Sequence, residues 1–313
     1  MKPLPLTFLE ASRGTQLSKT YSQDGIKSYP LVRDFKSHHH SKSDPTLEGL
    51  TRRHRWMAEH AAKGHAMLRG ELSEPLDFES RAGKSDKDAL SNTLVLDVDG
   101  LTMPEAMLAR GGGYTREDVI LIAETAVSNL PKEFHNVSYI AQASNSFGLK
   151  KDKVSVHLDF LLAEPIAPRR IKQLLRWMNF ATEYYEDRIT LNPSGMSLSF
   201  VLDPTTADNS RIIYIAPPLV EPPLADPFPN PEDRLILVER DTHCVSLDKM
   251  FEDVNPQIID QQCQKKIRSL RRRLGMPLKK NKTTQVRTSP TNLVTVISNP
   301  DRANIEIVQK EGD

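Results

Sequence analysis

Apolar and polar positions alternate most sharply at LVLDVDG (94–100), where Leu94, Leu96 and Val98 fall on one side of an extended chain and Asp97 and Asp99 on the other. The stretch from Thr93 to Val98 therefore predicts a buried strand that ends in two carboxylates. After it, Val119, Ile122 and Val127 recur at helical spacing. They predict a helix opened by a Thr115/Asp118 capping box and stopped at Pro131. NVSYIAQA (136–143) reads as a strand, SNSFGLKKDK as a loop, and VSVHLDFL (154–161) as a strand of period two. Pro168 opens a second helix, striped by Ile171, Leu174, Leu175 and Met178, and LSFVLD (198–203) and RIIYIA (211–216) read as strands.

The flanking segments pattern differently. The first 45 residues are polar and predict irregular chain; within them His38, His39 and His40 read as a solvated run rather than a metal site. Leu47 to Leu68 predicts a helix and SRAGKSD (80–86) a turn. Seven prolines between Pro217 and Pro231 exclude helix and central strand, which predicts a semi-rigid linker. Beyond it, Asn255-Pro256 starts a helix striped by Ile259, Cys263, Ile267, Leu270 and Leu274 and ended by Gly275 and Pro277. LVTVISNPDRANIEIVQKEGD at the end reads as two strands without a partner sheet.

Strand, helix, strand, strand, helix, strand is the ferredoxin-like or RNA-recognition-type order. The expectation is an α+β chain. A ferredoxin/RRM-like catalytic sheet with an N-terminal α/β extension fills residues 1–216, and a Pro-rich linker follows over 217–234. A small helical basic accessory domain spans 235–285, and a tail over 286–313 reads as the start of a longer downstream region.

Composition narrows the function. The 313 residues leave room for a substantial core, and the formal net charge of +1 gives no overall attraction to polyanions. Charge is instead local. Lys265, Lys266, Arg268, Arg271, Arg272 and Arg273, with Lys279, Lys280, Lys282 and Arg287, are ten cations without one acid between Cys263 and Arg287. That is the footprint expected of a nucleic-acid-binding surface. Two cysteines give no disulfide framework and make a zinc module unexpected, and there is no apolar run of about 18 residues. A cytoplasmic protein without a membrane span is expected.

In the ferredoxin-like order the first strand lies between the third and fourth. Asp97 and Asp99 would then be flanked by Ser155 and His157 on one side and by Asp203 on the other. Three carboxylates so close repel one another unless cations neutralise them. Hard oxygen ligands suit Mg²⁺ or Mn²⁺, and a pair of such ions clamps the attacking and leaving oxygens of a phosphoryl displacement. Ser155 and His157 would hydrogen-bond triphosphate oxygens, with Lys150, Lys151 and Lys153 adding cationic contacts. Arg81 and Lys84 are further phosphate candidates. Asp159, on the same face, reads either as support for the metal ligands or as a solvated strand residue. Asp208 and Arg211 read as a local ion pair, and Trp56 and Trp177 as core.

LDVD (96–99), SVH (155–157) and LD (202–203) resemble the three motifs of the archaeo-eukaryotic primase (AEP) superfamily. RAGKSD…LVLDVDGL and LDPTTADNSRIIYIAPP look like its phage and plasmid primase–polymerase branch, and the resemblance covers roughly residues 60 to 217. It implies a DNA primase or primase–polymerase of a phage or mobile element in a bacterial host, making primers on single-stranded DNA. Asp97, Asp99 and Asp203 would hold two Mg²⁺ or Mn²⁺ ions, Ser155 and His157 the nucleoside triphosphate, and a helicase, fused or separate, would be a partner. Two other readings stay open. LVLDVDGL is also similar to the first motif of haloacid-dehalogenase-type phosphatases, although 96 residues precede Asp97 and no late aspartate pair follows. The third is a non-catalytic replication-initiator or single-strand-binding module.

Overall fold

The computed structural model describes residues 6–40, 44–150 and 152–277, and beyond them the backbone of three strands. The N-terminal part contributes β1 (Leu6–Ala11), β2 (Thr20–Ser22), β3 (Gly25–Lys27), β4 (Asp34–His40), helix α1 (Leu47–Ala62), β5 (Ala66–Leu68) and β6 (Glu79–Ser80). The middle contributes β7 (Ser91–Thr102), α2 (Glu105–Arg110), α3 (Arg116–Val127), β8 (Tyr139–Ala143), β9 (Lys153–Ile166), α4 (Pro168–Ala181), α5 (Glu183–Glu186), β10 (Thr190–Leu191), β11 (Leu198–Ser199) and β12 (Ile212–Tyr214). There follow β13 (Leu219–Val220), β14 (Leu235–Val238), α6 (Asp248–Asp253), α7 (Pro256–Arg273), β15 (Thr284–Ser289), β16 (Asn292–Ile297) and β17 (Glu306–Gln309). The chain is α+β.

The central sheet runs β14-β8-β9-β7, every neighbour antiparallel. On the free side of β7 the segment 201–203 is bridged at Val98–Leu202 and bonded through the Asp99 and Asp203 amides to Val201 and Asp97 carbonyls. The fourth strand expected over 198–203 is thus a short bonded edge; only Leu198–Ser199 form a strand, in a hairpin with β10. Leu94, Leu96 and Val98 of β7 share one core with Val156, Leu158 and Phe160 of β9, α3 (Val119, Ile122, Ala126) and α4 (Ile171, Leu174, Met178). The α3 cap is the expected one, with Thr115 and Asp118 bonding reciprocally, and Pro168 stands at the start of α4.

The other face of the sheet is not open. Val95, Ile140 and Leu161 project from it into a second core with Leu6 and Phe8 of β1, Leu50 and Met57 of α1, and Met67 of β5. The first 45 residues, expected to be irregular, supply β1 and β4 of a sheet ordered β12-β5-β1-β4-β6. β1 is buried on both faces, Leu6 and Phe8 in the second core and Leu9 and Ala11 in a third, so it shows no period-two alternation. The expected helix over 47–68 ends at Ala62, because Gly64 turns the chain with φ +76° into β5. β12 pairs with β5, not with the central sheet.

The proline stretch is built into the same body. β13 pairs with β2, Phe228 packs in the first core at 2% exposure, and β14 extends the central sheet. The chain therefore divides not at 217 but within α7: one compact unit runs from Met1 to Cys263 and a second from Gln264 to Asp313. The second holds the last turns of α7 and an antiparallel sheet β15-β16-β17, so the two expected terminal strands have a third beside them. α7 ends at Arg273, and Gly275 (φ +65°) follows in the turn after it, where the sequence places the stop.

Candidate active site

β7 and β9 pair with Asp97 opposite His157. Beyond that pair the register slips: Val98 opposes Val156 and Leu101 opposes Val154, so Asp99 and Gly100 together face the single residue Ser155. This is a β-bulge, and Gly100 accommodates it with φ +72°. The Ser155 hydroxyl accepts from the Gly100 amide at 3.3 Å and hydrogen-bonds Asp99.

Asp97, Asp99, His157 and Asp203 line one cleft of ≈ 400 Å³ together with Lys19, Tyr29, Ser144, Asn145, Ser146, Lys150, Arg211 and Tyr214. The central sheet forms one wall, and β12 with the segment around Lys19 and Tyr29 the other. His157 Nε2 lies 3.3 Å from Asp97 Oδ1. Its Nδ1 lies 3.1 Å from Gln142 Oε1, and the Gln142 amide nitrogen donates to the Tyr214 and Ile215 carbonyls. Gln142 is thereby oriented as the acceptor of an Nδ1–H, which leaves Nε2 facing the carboxylates.

The charges in the cleft are unequal. Burial opposes a charged His157, but Asp97, by charge and hydrogen bond, and Asp99 outweigh it and raise its pKa above the ordinary imidazole value. Burial also opposes the Asp97 carboxylate; His157, Arg211 and Lys19 outweigh that and hold it below the ordinary value. Asp99 moves the other way, raised by burial and by the adjacent Asp97. Asp203 spends part of its capacity locally: its two oxygens accept from the Thr205 amide at 2.9 Å and the Thr205 hydroxyl at 2.7 Å, with Arg211 Nη2 at 3.5 Å.

The donor set fits hard divalent cations. Three carboxylates share one cleft, and the raised Asp99 marks a repulsion that a cation would relieve. They stand wider than a single-ion shell: among the described residues, the only three His, Cys, Asp or Glu groups whose ligand atoms lie within 4.8 Å of one another are Glu10, His38 and His65.

Not every expected residue reaches the cleft. Ser155 is buried and acts on Asp99 and Gly100 rather than lining the cavity. Lys150 lines it; Lys153 is exposed at the start of β9 and does not, and Lys151 lies outside the described residues. Arg81 donates to the Ser210 carbonyl at 2.8 Å and lines a second pocket, joined to the first through Arg211, Ile212 and Tyr214. Lys84 is paired with Glu74 and Glu79. Asp208 pairs with Lys172 at 3.0 Å, not through its side chain with Arg211, which turns to Asp203. Asp159 is neither a metal neighbour nor solvated: it is buried against Arg53 Nε at 2.8 Å, because α1 covers that end of the sheet face. Trp56 and Trp177 pack at the edges of the two cores. Of the basic cluster, Lys265, Arg272 and Arg273 are exposed, Lys266 and Arg268 are half-buried, and Arg271 is buried; Lys279, Lys280 and Lys282 lie outside the described residues.

Lys19, Tyr29, Gln142 and Arg211 were not legible as site residues. Lys19 Nζ sits 5.0 Å above the Tyr29 ring, which stacks on Tyr214 at 3.5 Å. Nothing in the local pattern around residues 19 and 29 points to a cleft some 70 residues away. Gln142 could have been found, since the pairing of β8 with β9 sets it opposite His157. No helix among the described residues is long and apolar enough to cross a membrane. No protein-family model matches the chain, and no curated protein or solved structure matches it.

Proposed function

We propose that the cleft is the active site of a DNA primase or primase–polymerase, joining nucleotides on a single-stranded DNA template. One observation carries this reading. Asp97, Asp99, His157 and Asp203, from three separate segments, line the same cavity as the cations Lys19, Lys150 and Arg211. The strand order 201–203, β7, β9, β8, with α3 and α4 on one face, supports a ferredoxin-like catalytic sheet.

In this reading Asp97, Asp99 and Asp203 hold two Mg²⁺ or Mn²⁺ ions, which when bound neutralise charge on the attacking and leaving oxygens. His157, whose Nε2 faces the cleft and whose charged form its carboxylate neighbours favour, is placed to hydrogen-bond a triphosphate oxygen. Lys19, Lys150 and Arg211 neutralise the rest of the triphosphate. The Ser144 and Ser146 hydroxyls and the Asn145 side chain, which accepts from the Lys19 amide at 2.9 Å, shape the loop beneath it. A hydroxyl oxygen attacks the α-phosphorus and loses its proton to solvent, the bond from the α-phosphorus to the bridging oxygen breaks, and pyrophosphate leaves with that oxygen. Lys265, Arg268, Arg272 and Arg273 contribute to template binding through backbone phosphates. A phage or mobile-element role in the bacterial cytoplasm, with a helicase partner, completes the reading.

The phosphatase reading rests on LVLDVDG alone. It gives no role to Asp203 or His157, and the antiparallel sheet is not the doubly wound parallel frame on which strand-end sites are usually built. A pyrophosphate-release assay separates the readings. Template-dependent pyrophosphate, lost in Asp97→Asn/Asp99→Asn, is the expected result. Inorganic phosphate released from small phosphoesters without template would replace this reading with the phosphatase. Tight single-strand binding with neither product would leave a non-catalytic module.

A further inference from the structure

His38, His39 and His40 do not lie in a loop; they form the end of β4. β4 pairs with β1 with Phe8 opposite His38, so His38 and His40 share a sheet face with Phe8 and Glu10. On the other side of β1, β5 sets Leu9 opposite Ala66, which brings His65 beside Glu10. Three neighbouring segments therefore deliver Glu10, His38 and His65 to one point. His38 Nε2 is 2.8 Å from Glu10 Oε2, His65 Nε2 is 3.9 Å from the same oxygen, and all three ligand atoms lie within 4.8 Å of one another.

Beneath this group lies a chain of imidazoles. His65 Nδ1 is 2.8 Å from His60 Nδ1, and His60 Nε2 is 2.8 Å from His40 Nε2. His60 itself is clamped by stacking on Phe8 at 4.0 Å. Each of these two contacts joins ring nitrogen to ring nitrogen, so in each one nitrogen donates and the other accepts. If His65 donates from Nδ1, its Nε2 presents a bare lone pair toward the Glu10 carboxylate, a contact that only a cation between them makes favourable. The 3.9 Å gap is too long for a hydrogen bond. A tetrahedral shell with bonds of 2.0–2.1 Å sets its ligand atoms roughly 3.4 Å apart, between this gap and the 2.8 Å His38–Glu10 hydrogen bond that an ion would replace.

We propose that Glu10, His38 and His65 form a binding site for a divalent transition-metal ion of the Zn²⁺ class, clamping β1, β4 and the turn into β5. Two imidazoles and one carboxylate are the donor set that zinc takes in three-ligand sites with an open fourth position. His60 would be the positioning residue: with His65 Nδ1 as the donor of their 2.8 Å contact, it holds the tautomer that leaves Nε2 free to ligate. The site is chemically distinct from the aspartate cleft, whose oxygen donors favour hard cations.

The test uses the full chain, stripped with a chelator and titrated with ZnCl₂ by calorimetry, with Co²⁺ absorption as a second readout. The expected result is one Zn²⁺ per chain, a tetrahedral Co²⁺ spectrum, and a rise in Tm with Zn²⁺. Binding is expected to vanish in His38→Gln/His65→Gln, to weaken ~10–100-fold in His60→Gln, and to persist in Asp97→Asn/Asp99→Asn. Because the wild-type titration is itself decisive, misfolding of a variant does not shelter the proposal. A folded, metal-free wild type that takes up no Zn²⁺ would overturn it, and so would a folded double variant that binds Zn²⁺ as wild type does.

Discussion

Asp97 and His157 are the residues on which the site's electrostatics turn. Each is buried enough to disfavour its own charge, and each supplies the charge that stabilises the other. With a chelator present this has a pH signature. Asp97, held below its reference of 3.8, contributes stability above that pH and loses it as pH falls through the folded value. His157, raised above its reference of 6.5, contributes below that pH and loses it as pH rises through the folded value. The Tm difference between wild type and His157→Gln should therefore be largest between about pH 3.8 and 6.5 and narrow on both sides. Thermal melts across the pH range check this; a difference independent of pH would contradict the pairing. In catalysis His157→Gln should lower kcat roughly 10²-fold with the fold intact, the usual cost of one donor aimed at developing charge.

Two elements set where those residues point. The bulge at Asp99–Gly100 re-aims Asp99 toward the cleft, and Gly100 holds φ +72° with open space where a Cβ would stand. Gly100→Ala should thus cost about 1–2 kcal/mol by backbone strain alone, read by denaturant melts, and should lower activity by shifting Asp99. Helix α1 reaches the same sheet face through Arg53, whose Nε and Nη1 donate to Asp159 and Thr93 in the interior. Burial raises the Asp159 pKa despite Arg53, so the pair does not fully offset its desolvation. Arg53→Met should destabilise by ~3–5 kcal/mol, and Arg53→Met/Asp159→Leu should recover much of the loss. Equal losses in both variants would show that the arginine matters for packing rather than charge.

At the scale of the molecule, what the sequence made legible follows from range. The elements around the site came from local signals: the alternation at Leu94–Val98, the Thr115/Asp118 cap, Pro168, and Gly275 after α7. The placing of Asp97 against His157 followed from alternation plus one assumed pairing. What was hidden depends on pairings between segments distant in sequence. The N-terminal sheet, whose first strand buries apolar residues on both faces, gives no clean period, and Lys19 meets Asn145 only in the folded chain. The prolines over 217–231 exclude regular structure locally without making the segment loose: Phe228 and β13 fasten it to the main body. Limited proteolysis should accordingly leave residues 217–231 intact in the folded protein, whereas rapid cleavage there would restore the linker.

The most direct measurement of the central claim is primer synthesis on single-stranded DNA with labelled nucleotides and Mg²⁺ or Mn²⁺, wild type beside Asp97→Asn/Asp99→Asn. The account predicts short products complementary to the template, reduced on the order of 10³-fold in the variant. Products undiminished in a folded variant, or none from the wild type under either metal, would contradict it.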